Sequence, residues 1–360
     1  MNDFVAYWSA ASLITHGQNP YARDAVFRLE KDVGFTGSTP LIMRNPPWIV
    51  PIVAPLGFLS FGVAQRLWLI GGLFAILISL KWLWELYRVA GQTGLLTSLA
   101  IATFSPIAVA LTIGQISPLI LLGIAGFLRF EKKGRLGLAG IFLVLAALKP
   151  HLLFLLWGAL LLWSICNRSV KILGMFASTI VTSSFIAVLF DHSIFAEYAH
   201  LVTREGVLHE LTPTVGGVLR LSLRTYVLQL LPAMIALGWF LFYAWGKIRQ
   251  SQWRWSEETP LLLVVSLLTT PYSWLFDQVL LIPCIFLGIS RLATVRHRRV
   301  TRTITGLYLG ANVLVLVLIL LHRSGFWYTW TIPVWFTLFT LASLQQGGEP
   351  AEAPAGAPGS

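Results

Sequence analysis

Acidic residues are scarce in this sequence, as are charged residues of either sign. Among 360 residues there are 15 Asp and Glu against 26 Lys and Arg, and charged residues make up only 11% of the chain. A soluble domain carries about 25% charged residues, and the mean hydropathy here is +0.74. No polar stretch between the apolar runs is long enough for a sizeable soluble domain. This excludes an enzyme that binds a nucleotide sugar in such a domain.

Cysteine is almost absent as well. The chain has two cysteines, Cys166 and Cys284, and both lie in or next to apolar runs. Nothing here suggests a disulfide framework or a cysteine metal site. Asp191 and Glu197 form no recognisable metal-binding set with the histidines near them. We therefore predict no metal ligands and no cofactor, although the sequence leaves open whether a metal ion is required.

The positive charge is concentrated in short loops. A net charge of +11 would suggest a nucleic-acid partner in a soluble protein, but here the basic residues lie between apolar runs. Cytoplasmic loops of membrane proteins carry an excess of Lys and Arg. We therefore predict that the partner is the lipid bilayer of a bacterial inner membrane and not a nucleic acid. The four basic loops assigned to the cytoplasm are residues 131–135, 167–171, 247–254 and 291–302.

Apolar runs of about 18 residues, the length that crosses a bilayer, recur along the chain. They predict an all-α integral membrane fold, a polytopic helical bundle of about 10–12 membrane segments with short interfacial helices in the loops. One transmembrane domain is expected over residues 1–344, followed by a disordered tail over residues 345–360. The predicted full spans are Leu67–Tyr87, Leu95–Ile113 with a kink at Ser105-Pro106, Ile172–Phe190, Tyr226–Trp245 and Ile304–Leu321.

The basic loops also constrain the first segments. They place Gln115, Lys149 and residues 274–278 together on the outer face. If residues 48–60 crossed the membrane from an outer start, loop 131–135 would fall on the wrong side. That segment is broken by prolines and is too short for a straight crossing. We therefore predict that residues 48–60 form a half-span or a re-entrant helix.

The first twenty-one residues carry an unusual carboxylate. Asp3 heads a stretch in which aromatic residues recur at helical spacing, Gly17 ends the helix, and Asn19-Pro20-Tyr21 makes a turn. Such a helix is expected to lie in the membrane–water interface. Two roles for Asp3 are open: a helix N-cap or a catalytic carboxylate at the membrane surface.

Three motifs together resemble glycosyltransferase family 87, a family of multi-spanning GT-C enzymes that includes polyprenyl-phosphomannose-dependent mannosyltransferases. The resemblance implies a GT-C-type bundle in which Asp3 matches the catalytic Asp of the first extracytoplasmic loop, and Tyr7 is expected to contact substrate. It also implies a spanning helix before the motif, which this sequence lacks. The motifs are Asp3-Phe4-x-x-Tyr7, Gly17-x-Asn19-Pro20-Tyr21 and Asn45-Pro46-Pro47.

Lys149-Pro150-His151 lies between two short apolar helices. A lysine at such a break is costly unless it faces a polar cavity. Lys149 is therefore a candidate ligand of a donor phosphate, with His151 beside it, although a lysine whose ammonium reaches the interface would give the same pattern. The family commonly has Lys-Pro here and Gly-Gln where this chain has Gly114-Gln115. Gln115 is expected to bind substrate or to bridge helices.

The remaining candidates are in polar connections. Trp274 and Asp277 lie where relatives carry Ser-Pro-x-Ser-Trp followed by an acidic residue and His. The histidine is absent here, so no histidine role is carried over. Asp277 is expected to orient a sugar hydroxyl, pair with a basic group or stabilise the turn. Arg44 could reach a phosphate or be a solvated loop residue, and Arg204 or His209 could touch phosphate or acceptor.

These observations predict a membrane enzyme that transfers a hexose, with mannose as one candidate, from a polyprenyl-phosphate-sugar donor to a lipid or glycan acceptor on the extracytoplasmic face. Asp3 would be the general base. The rival interpretations are a transporter or flippase of lipid-linked sugars and a non-catalytic member of the family. The polar groups gather at one face of the membrane, and this favours chemistry at a surface over transport.

Overall fold

The computed structural model describes residues 3–88, 94–204, 210–250, 253–293 and 298–345. Within these ranges the regular structure is helical and contains no strand, which confirms the predicted all-α class. Most of the predicted disordered tail lies outside the described residues. The α-helices are α1 (Phe4–Thr15), α2 (Arg23–Asp32), α3 (Val50–Gly57), α4 (Phe61–Tyr87), α5 (Gly94–Ala102), α6 (Ser105–Ile113), α7 (Ser117–Lys132), α8 (Leu136–Ala146), α9 (Phe154–Cys166), α10 (Lys171–Phe190), α11 (Ile194–Arg204), α12 (Val215–Leu223), α13 (Leu231–Gln250), α14 (Trp255–Thr269), α15 (Ile282–Ala293), α16 (Arg298–Leu320) and α17 (Thr331–Leu344). Five 3-10 helices lie within the described ranges, at Pro47–Ile49, Pro150–Leu153, Tyr226–Gln229, Leu275–Leu281 and Gly325–Tyr328.

Five of the described helices are long and apolar enough to cross a membrane. A sixth crossing is formed by α5 and α6 if that bent pair counts as one span. The pair bends by 47° at a break of two residues, where Pro106 begins α6 and has no N–H to continue the ladder. The predicted kink at Ser105-Pro106 is therefore present. The five spans are Phe61–Tyr87, Lys171–Phe190, Leu231–Arg249, Leu275–Ala293 and Arg299–Leu320.

Several shorter helices lie beside these five or six spans, and the predicted total of 10–12 membrane segments stays a prediction. α8 has 11 residues and α9 has 13, which is less than the roughly 20 residues needed to span a bilayer alone. α7 packs extensively against α4 and α8, and α8 packs against α10. These short helices are therefore supported by long neighbours in the bundle.

Ion pairs at the described flanks of the basic loops mark one end of the bundle. There Arg129 pairs with Glu85, Lys247 pairs with Glu258, and Arg254 pairs with Glu257 at 3.3 Å. We call this the basic end. Helices that leave it reach the opposite end at Gln115, Lys149 and residues 270–278. The polar residues that the sequence analysis singled out therefore lie away from the basic loops.

The segment over residues 48–60 does not cross the bundle. At its start the Trp48 indole N–H donates to the Ala147 carbonyl at 3.2 Å, and at its far side the Leu59 carbonyl accepts from the Trp8 indole at 3.0 Å. Both of these partners belong to the end opposite the basic loops. The chain therefore makes its first crossing with α4, in agreement with the predicted half-span or re-entrant helix.

Helix α1 is buried rather than interfacial, which corrects the expectation of a surface helix. Phe4 is completely buried and Tyr7 is 5% exposed, and both rings pack on Trp68 of α4, at 5.6 and 5.3 Å between ring centroids. α3 closes over the other side, and at Gly57 an added Cβ would lie 2.3 Å from the Ala11 carbonyl oxygen. Because α1 is apolar all round, it packs inside the bundle, and this positions Asp3.

Candidate active site

The predicted site residues converge on one cavity of about 550 Å³ at the end of the bundle opposite the basic loops. We call it the polar cavity. Asp277 does not line this cavity, and its side chain is completely buried behind Lys149. In this structure Asp277 therefore faces Lys149 and not a substrate. The predicted residues that do line the cavity are Asp3, Tyr7, Arg44, Gln115, Lys149, His151 and Trp274.

Most of these residues lie next to a helix end, whereas Tyr7 lies within α1. Gly114 ends α6 with φ of +78°, a conformation that suits glycine, and the chain then turns so that Gln115 faces the cavity before α7 begins. Near the end of α8, the Asn45 amide donates to the Leu148 carbonyl at 2.8 Å. Carbonyls at a helix C-terminus lack partners within the helix. The Asn45-Pro46-Pro47 motif thus supports the turn that presents Lys149.

A chain of hydrogen bonds runs through the site from Asp3 to Lys149. The Gln115 Nε2 amide donates to Asp3 Oδ2 at 2.6 Å. The Gln115 Oε1 oxygen accepts from the Tyr7 hydroxyl and from Lys149 Nζ, each at 3.3 Å. The Gln115 amide side chain therefore links the Asp3 carboxylate to the Lys149 ammonium group, and with Tyr7 four predicted residues form one hydrogen-bonded unit.

Asp3 occupies the N-cap position of α1 but makes no capping bond with its side chain. The carboxylate instead turns to Gln115 and the cavity. Burial raises the pKa of Asp3 above its usual value, while the Gln115 hydrogen bond and the Lys149 charge oppose this rise. The sequence left two roles open for Asp3, and the geometry does not support the role of helix N-cap.

Lys149 is held by a completely buried carboxylate. Its Nζ lies 2.7 Å from Asp277 Oδ1, and that oxygen also accepts from the Ser117 hydroxyl at 2.8 Å. The other Asp277 oxygen accepts from the Trp274 backbone N–H at 3.1 Å. The Lys149 ammonium also lies 4.8 Å from the centre of the Phe276 ring. Asp277 thus both forms an ion pair with the basic residue Lys149 and stabilises a turn.

Aromatic and imidazole groups form the remaining wall. The His151 ring meets the Tyr272 ring edge-on at 5.6 Å, and its buried Nε2 has no hydrogen-bond partner among the described residues. Desolvation lowers the pKa of His151 to about 4, so the ring is neutral near pH 7. Trp274 stacks on Phe276 at 6.4 Å. The cavity therefore offers a flat aromatic face beside an available imidazole nitrogen.

Arg44 forms an ion pair that the sequence analysis did not foresee. Its guanidinium lies 2.6 Å from Glu210 Oε1, and both residues line the polar cavity. Arg204 lies outside this cavity, and His209 lies outside the described residues. Ser117 was also missed as a site residue. The position of Ser117 just after Gly114-Gln115 could have indicated a site residue. Its hydrogen-bond partner Asp277 is 160 residues away, so no local pattern in the sequence indicated this contact.

A model of glycosyltransferase family 87 matches residues 44–276, which is well over half of the chain. The protein belongs to glycosyltransferase family 87. No curated protein and no solved structure matches the chain. This family 87 protein is thus a membrane glycosyltransferase, and the matched region contains Arg44, Gln115, Lys149 and Trp274.

Proposed function

We propose that this family 87 glycosyltransferase transfers a hexose, with mannose as one candidate, from a polyprenyl-phosphate sugar to a lipid or glycan hydroxyl. The observation that carries the proposal is the pairing of a desolvated carboxylate, Asp3, with an ammonium group, Lys149, in one cavity. A glycosyl transfer from a phosphate needs both a base and a cation. In the polar cavity Asp3 is the base and Lys149 is the cation, and Gln115 hydrogen-bonds to both.

In the reaction, Asp3 takes the proton from the acceptor hydroxyl as the hydroxyl oxygen attacks the anomeric carbon. The bond between that carbon and the phosphate oxygen breaks, and its electron pair leaves with the polyprenyl phosphate. Lys149 stabilises the charge that develops on the phosphate. The His151 Nε2 nitrogen, in its protonated tautomer, donates to a second phosphate oxygen, and Trp274 and Tyr7 line the place of the sugar ring.

The distribution of basic residues between the two ends of the bundle supports an extracytoplasmic active site. Lys- and Arg-rich loops of inner-membrane proteins stay in the cytoplasm, and here they gather at the basic end. The polar cavity opens at the opposite end. The proposed location is therefore a bacterial inner membrane with the cavity facing outward.

A second, apolar feature supports a lipid-linked donor. A groove of about 190 Å³ runs along α4 and α3 and ends at Gln115, which also lines the polar cavity. Its wall includes Leu67, which is 49% exposed, and Gly71, which leaves the groove open. We call it the apolar groove. A donor with its phosphate at Lys149 would place its polyprenyl chain there, because a prenyl chain is stabilised only by apolar surface.

Filling the apolar groove is expected to weaken binding of long-chain donors only. At Gly71 an added Cβ meets nothing within 4 Å, so Gly71→Phe would occupy the groove without a backbone clash. Excluding about two methylene groups costs about 1.6 kcal/mol, so KM for a long-chain donor should rise about tenfold. A donor with one isoprene unit should keep its KM.

Gly62→Phe is the matched control, because Gly62 is on the same helix and also has open space at its Cβ. The comparison is made by measuring transfer from donors of increasing chain length with each variant. Equal KM values for Gly71→Phe and Gly62→Phe on the longest donor would contradict the assignment of the groove.

The acid limb of the pH–rate profile should report Asp3. A base works in its ionised form, and because burial raises its pKa, activity should fall at a pH above the ordinary aspartate value of 3.8. Activity should be present above the raised pKa of Asp3 and lost as the pH falls through that pKa. Gln115→Leu removes the amide that stabilises the ionised form and should move the limb to higher pH. A limb that stays in place in Gln115→Leu would count against Asp3 as the titrating group.

The test of the function is a comparison of donors. Membranes that contain the protein are incubated with labelled polyprenyl-phosphate hexoses and, separately, with nucleotide hexoses. We expect label in a glycosylated product from the lipid-linked donors only. Movement of an intact lipid-linked sugar between the leaflets of sealed vesicles, with no product, would favour the flippase.

A further inference from the structure

A second cleft lies beside the polar cavity, outside the membrane spans. It has a volume of about 580 Å³ and opens between the turn after α1 and helix α11. We call it the side cleft. The mechanism above uses none of its residues, although the Asn19-Pro20-Tyr21 motif forms one of its walls. The lining residues are Asn19, Tyr21, Ala22, Arg23, Ala196, Glu197, His200, Leu201 and Arg204.

The turn that carries the motif has a defined geometry. Gly17 leaves α1 with φ of +66°, which only glycine adopts freely. The Asn19 side chain then accepts from the Tyr21 backbone N–H at 2.7 Å, the pattern by which asparagine stabilises turns. As a result the Tyr21 ring points inward, and its side chain is part of the cleft.

Buried polar atoms in and beside the side cleft lack partners within the described part of the chain. Tyr21 is 6% exposed, yet its hydroxyl has no hydrogen-bond partner. The buried Oε2 atom of Glu197 and Oδ2 atom of Asp191 accept from no donor group. These two carboxyls interact with each other, however, and burial together with the hydrogen bond to Asp191 raises the pKa of Glu197 to about 7. Buried hydroxyls and carboxylates are nearly always hydrogen-bonded in proteins. A ligand with hydroxyl groups in the cleft would satisfy the Tyr21 hydroxyl.

The cleft adjoins the proposed site of transfer. Leu201 lines both the side cleft and the polar cavity. The Tyr21 ring, in the cleft, lies 5.8 Å from the Tyr198 ring, which lines the cavity. A chain-like ligand in the cleft would therefore extend to the polar cavity, which Asp3 also lines.

The mixture of groups in the cleft favours a neutral, hydroxyl-rich ligand over an anion. A sugar hydroxyl donates to a carboxylate such as Glu197 and accepts from a guanidinium such as that of Arg204. A phosphate ion at neutral pH is negatively charged and mainly accepts hydrogen bonds, so the acidic pair of Glu197 and Asp191 disfavours it. The aromatic ring of Tyr21 offers an apolar face to a sugar ring.

We propose that the side cleft binds the glycan chain of the acceptor and directs its end into the polar cavity. This inference rests on the proposed transferase function, and it narrows the acceptor class to a molecule that carries an oligosaccharide. Its test therefore uses one measurement that needs no turnover and one that does.

The first measurement is protection of a thiol by neutral sugars. Ala196→Cys introduces a thiol in the side cleft, and Ala199→Cys introduces one on the same helix outside the cleft. Ala196 and Ala199 are both exposed. Both variants carry Cys166→Ser, because Cys166 is exposed and Cys284 is buried. Labelling by a maleimide is followed with and without mannotriose, maltotriose or cellotriose, and with inorganic phosphate.

At a concentration of about ten times the half-protecting value, a bound trisaccharide leaves about one site in ten free. Labelling of Ala196→Cys should therefore slow about tenfold with at least one trisaccharide, while Ala199→Cys should be unaffected. Protection by phosphate and by no sugar would overturn the proposal, as would protection by neither. These outcomes do not depend on catalysis.

The second measurement separates acceptor binding from donor chemistry. Ala196→Trp fills the side cleft, and it is expected to raise KM for an oligosaccharide-bearing acceptor about tenfold, which is the loss of about 1.4 kcal/mol of binding. Hydrolysis of the donor by water should be unchanged, and Ala199→Trp should behave as wild type. An unchanged acceptor KM in Ala196→Trp overturns the acceptor role. Absence of any donor turnover in wild type would instead contradict the proposed transferase function. Protection of the side cleft by sugars would still be observed in that case.

Discussion

Asp3→Asn is expected to lower the rate of sugar transfer by about 10²- to 10⁴-fold, the usual contribution of a general base. The asparagine keeps the size of the side chain and can still hydrogen-bond to Gln115, whose amide lies 2.6 Å from the native carboxylate. It cannot accept the proton of the acceptor hydroxyl. Because the donor phosphate is held by Lys149 under the proposed mechanism, KM for the donor should change little.

The measurement is steady-state transfer from a labelled polyprenyl-phosphate hexose, with protein amounts matched by quantitative immunoblot. Asp24→Asn is the control, since Asp24 is an exposed residue of α2 outside the polar cavity and the change removes the same charge. A loss shared by both variants would point to a general effect of charge. An Asp3→Asn enzyme with wild-type kcat would remove Asp3 as the base.

Lys149→Met is expected to reduce kcat by about 10²- to 10³-fold, as seen when one group that stabilises developing charge is removed. Methionine preserves the apolar stem of the lysine against Phe276, and only the ammonium group is lost. The variant leaves Asp277 buried without its charged partner, although the Ser117 hydroxyl and the Trp274 backbone N–H still donate to it. A drop in stability should therefore accompany the drop in rate.

A second variant separates these two effects. Breaking a buried ion pair costs about 3–5 kcal/mol, while replacing both partners by apolar groups is often neutral. The double variant Lys149→Met with Asp277→Leu should therefore recover most of the thermal stability that Lys149→Met alone loses, and it should remain inactive. Thermal unfolding in detergent and the transfer assay are measured side by side. A double variant with wild-type activity would show that Lys149 serves only the fold.

The membrane class of the fold was accessible from composition, because a chain with 11% charged residues has no way to cover a soluble surface. Chain breakers and basic loops also located the turns. Gly114, Pro106 and the Lys149-Pro150 pair each mark a helix end in the structure. These signals are local, and local signals determine where helices stop.

The partners within the site were not accessible in the same way. Lys149 and Asp277 are 128 residues apart, and several helices separate Arg44 from Glu210 along the chain. Which loops meet depends on how the short helices pack, and periodicity within one helix does not specify that. The sequence therefore indicated polar residues at one face but not that Asp277 would be buried behind Lys149.

The burial of α1 was mispredicted for a related reason. Its aromatic residues at helical spacing suggested an amphipathic surface helix, but Phe4 and Val5 are both completely buried. A helix that is apolar on all sides gives no sign of which face meets the bundle. Gly57 allows α3 to approach the Ala11 carbonyl closely, but this role is apparent only in the packed structure.

The most direct test of the account is a single turnover of enzyme preloaded with a doubly labelled polyprenyl-phosphate hexose and mixed with acceptor by rapid quench. The account predicts that wild type releases one polyprenyl phosphate for each glycosylated acceptor formed. Asp3→Asn should hold the same amount of donor yet form product at least about 100-fold more slowly. Product formed by Asp3→Asn at the wild-type rate, or product formed by wild type without release of polyprenyl phosphate, would contradict it.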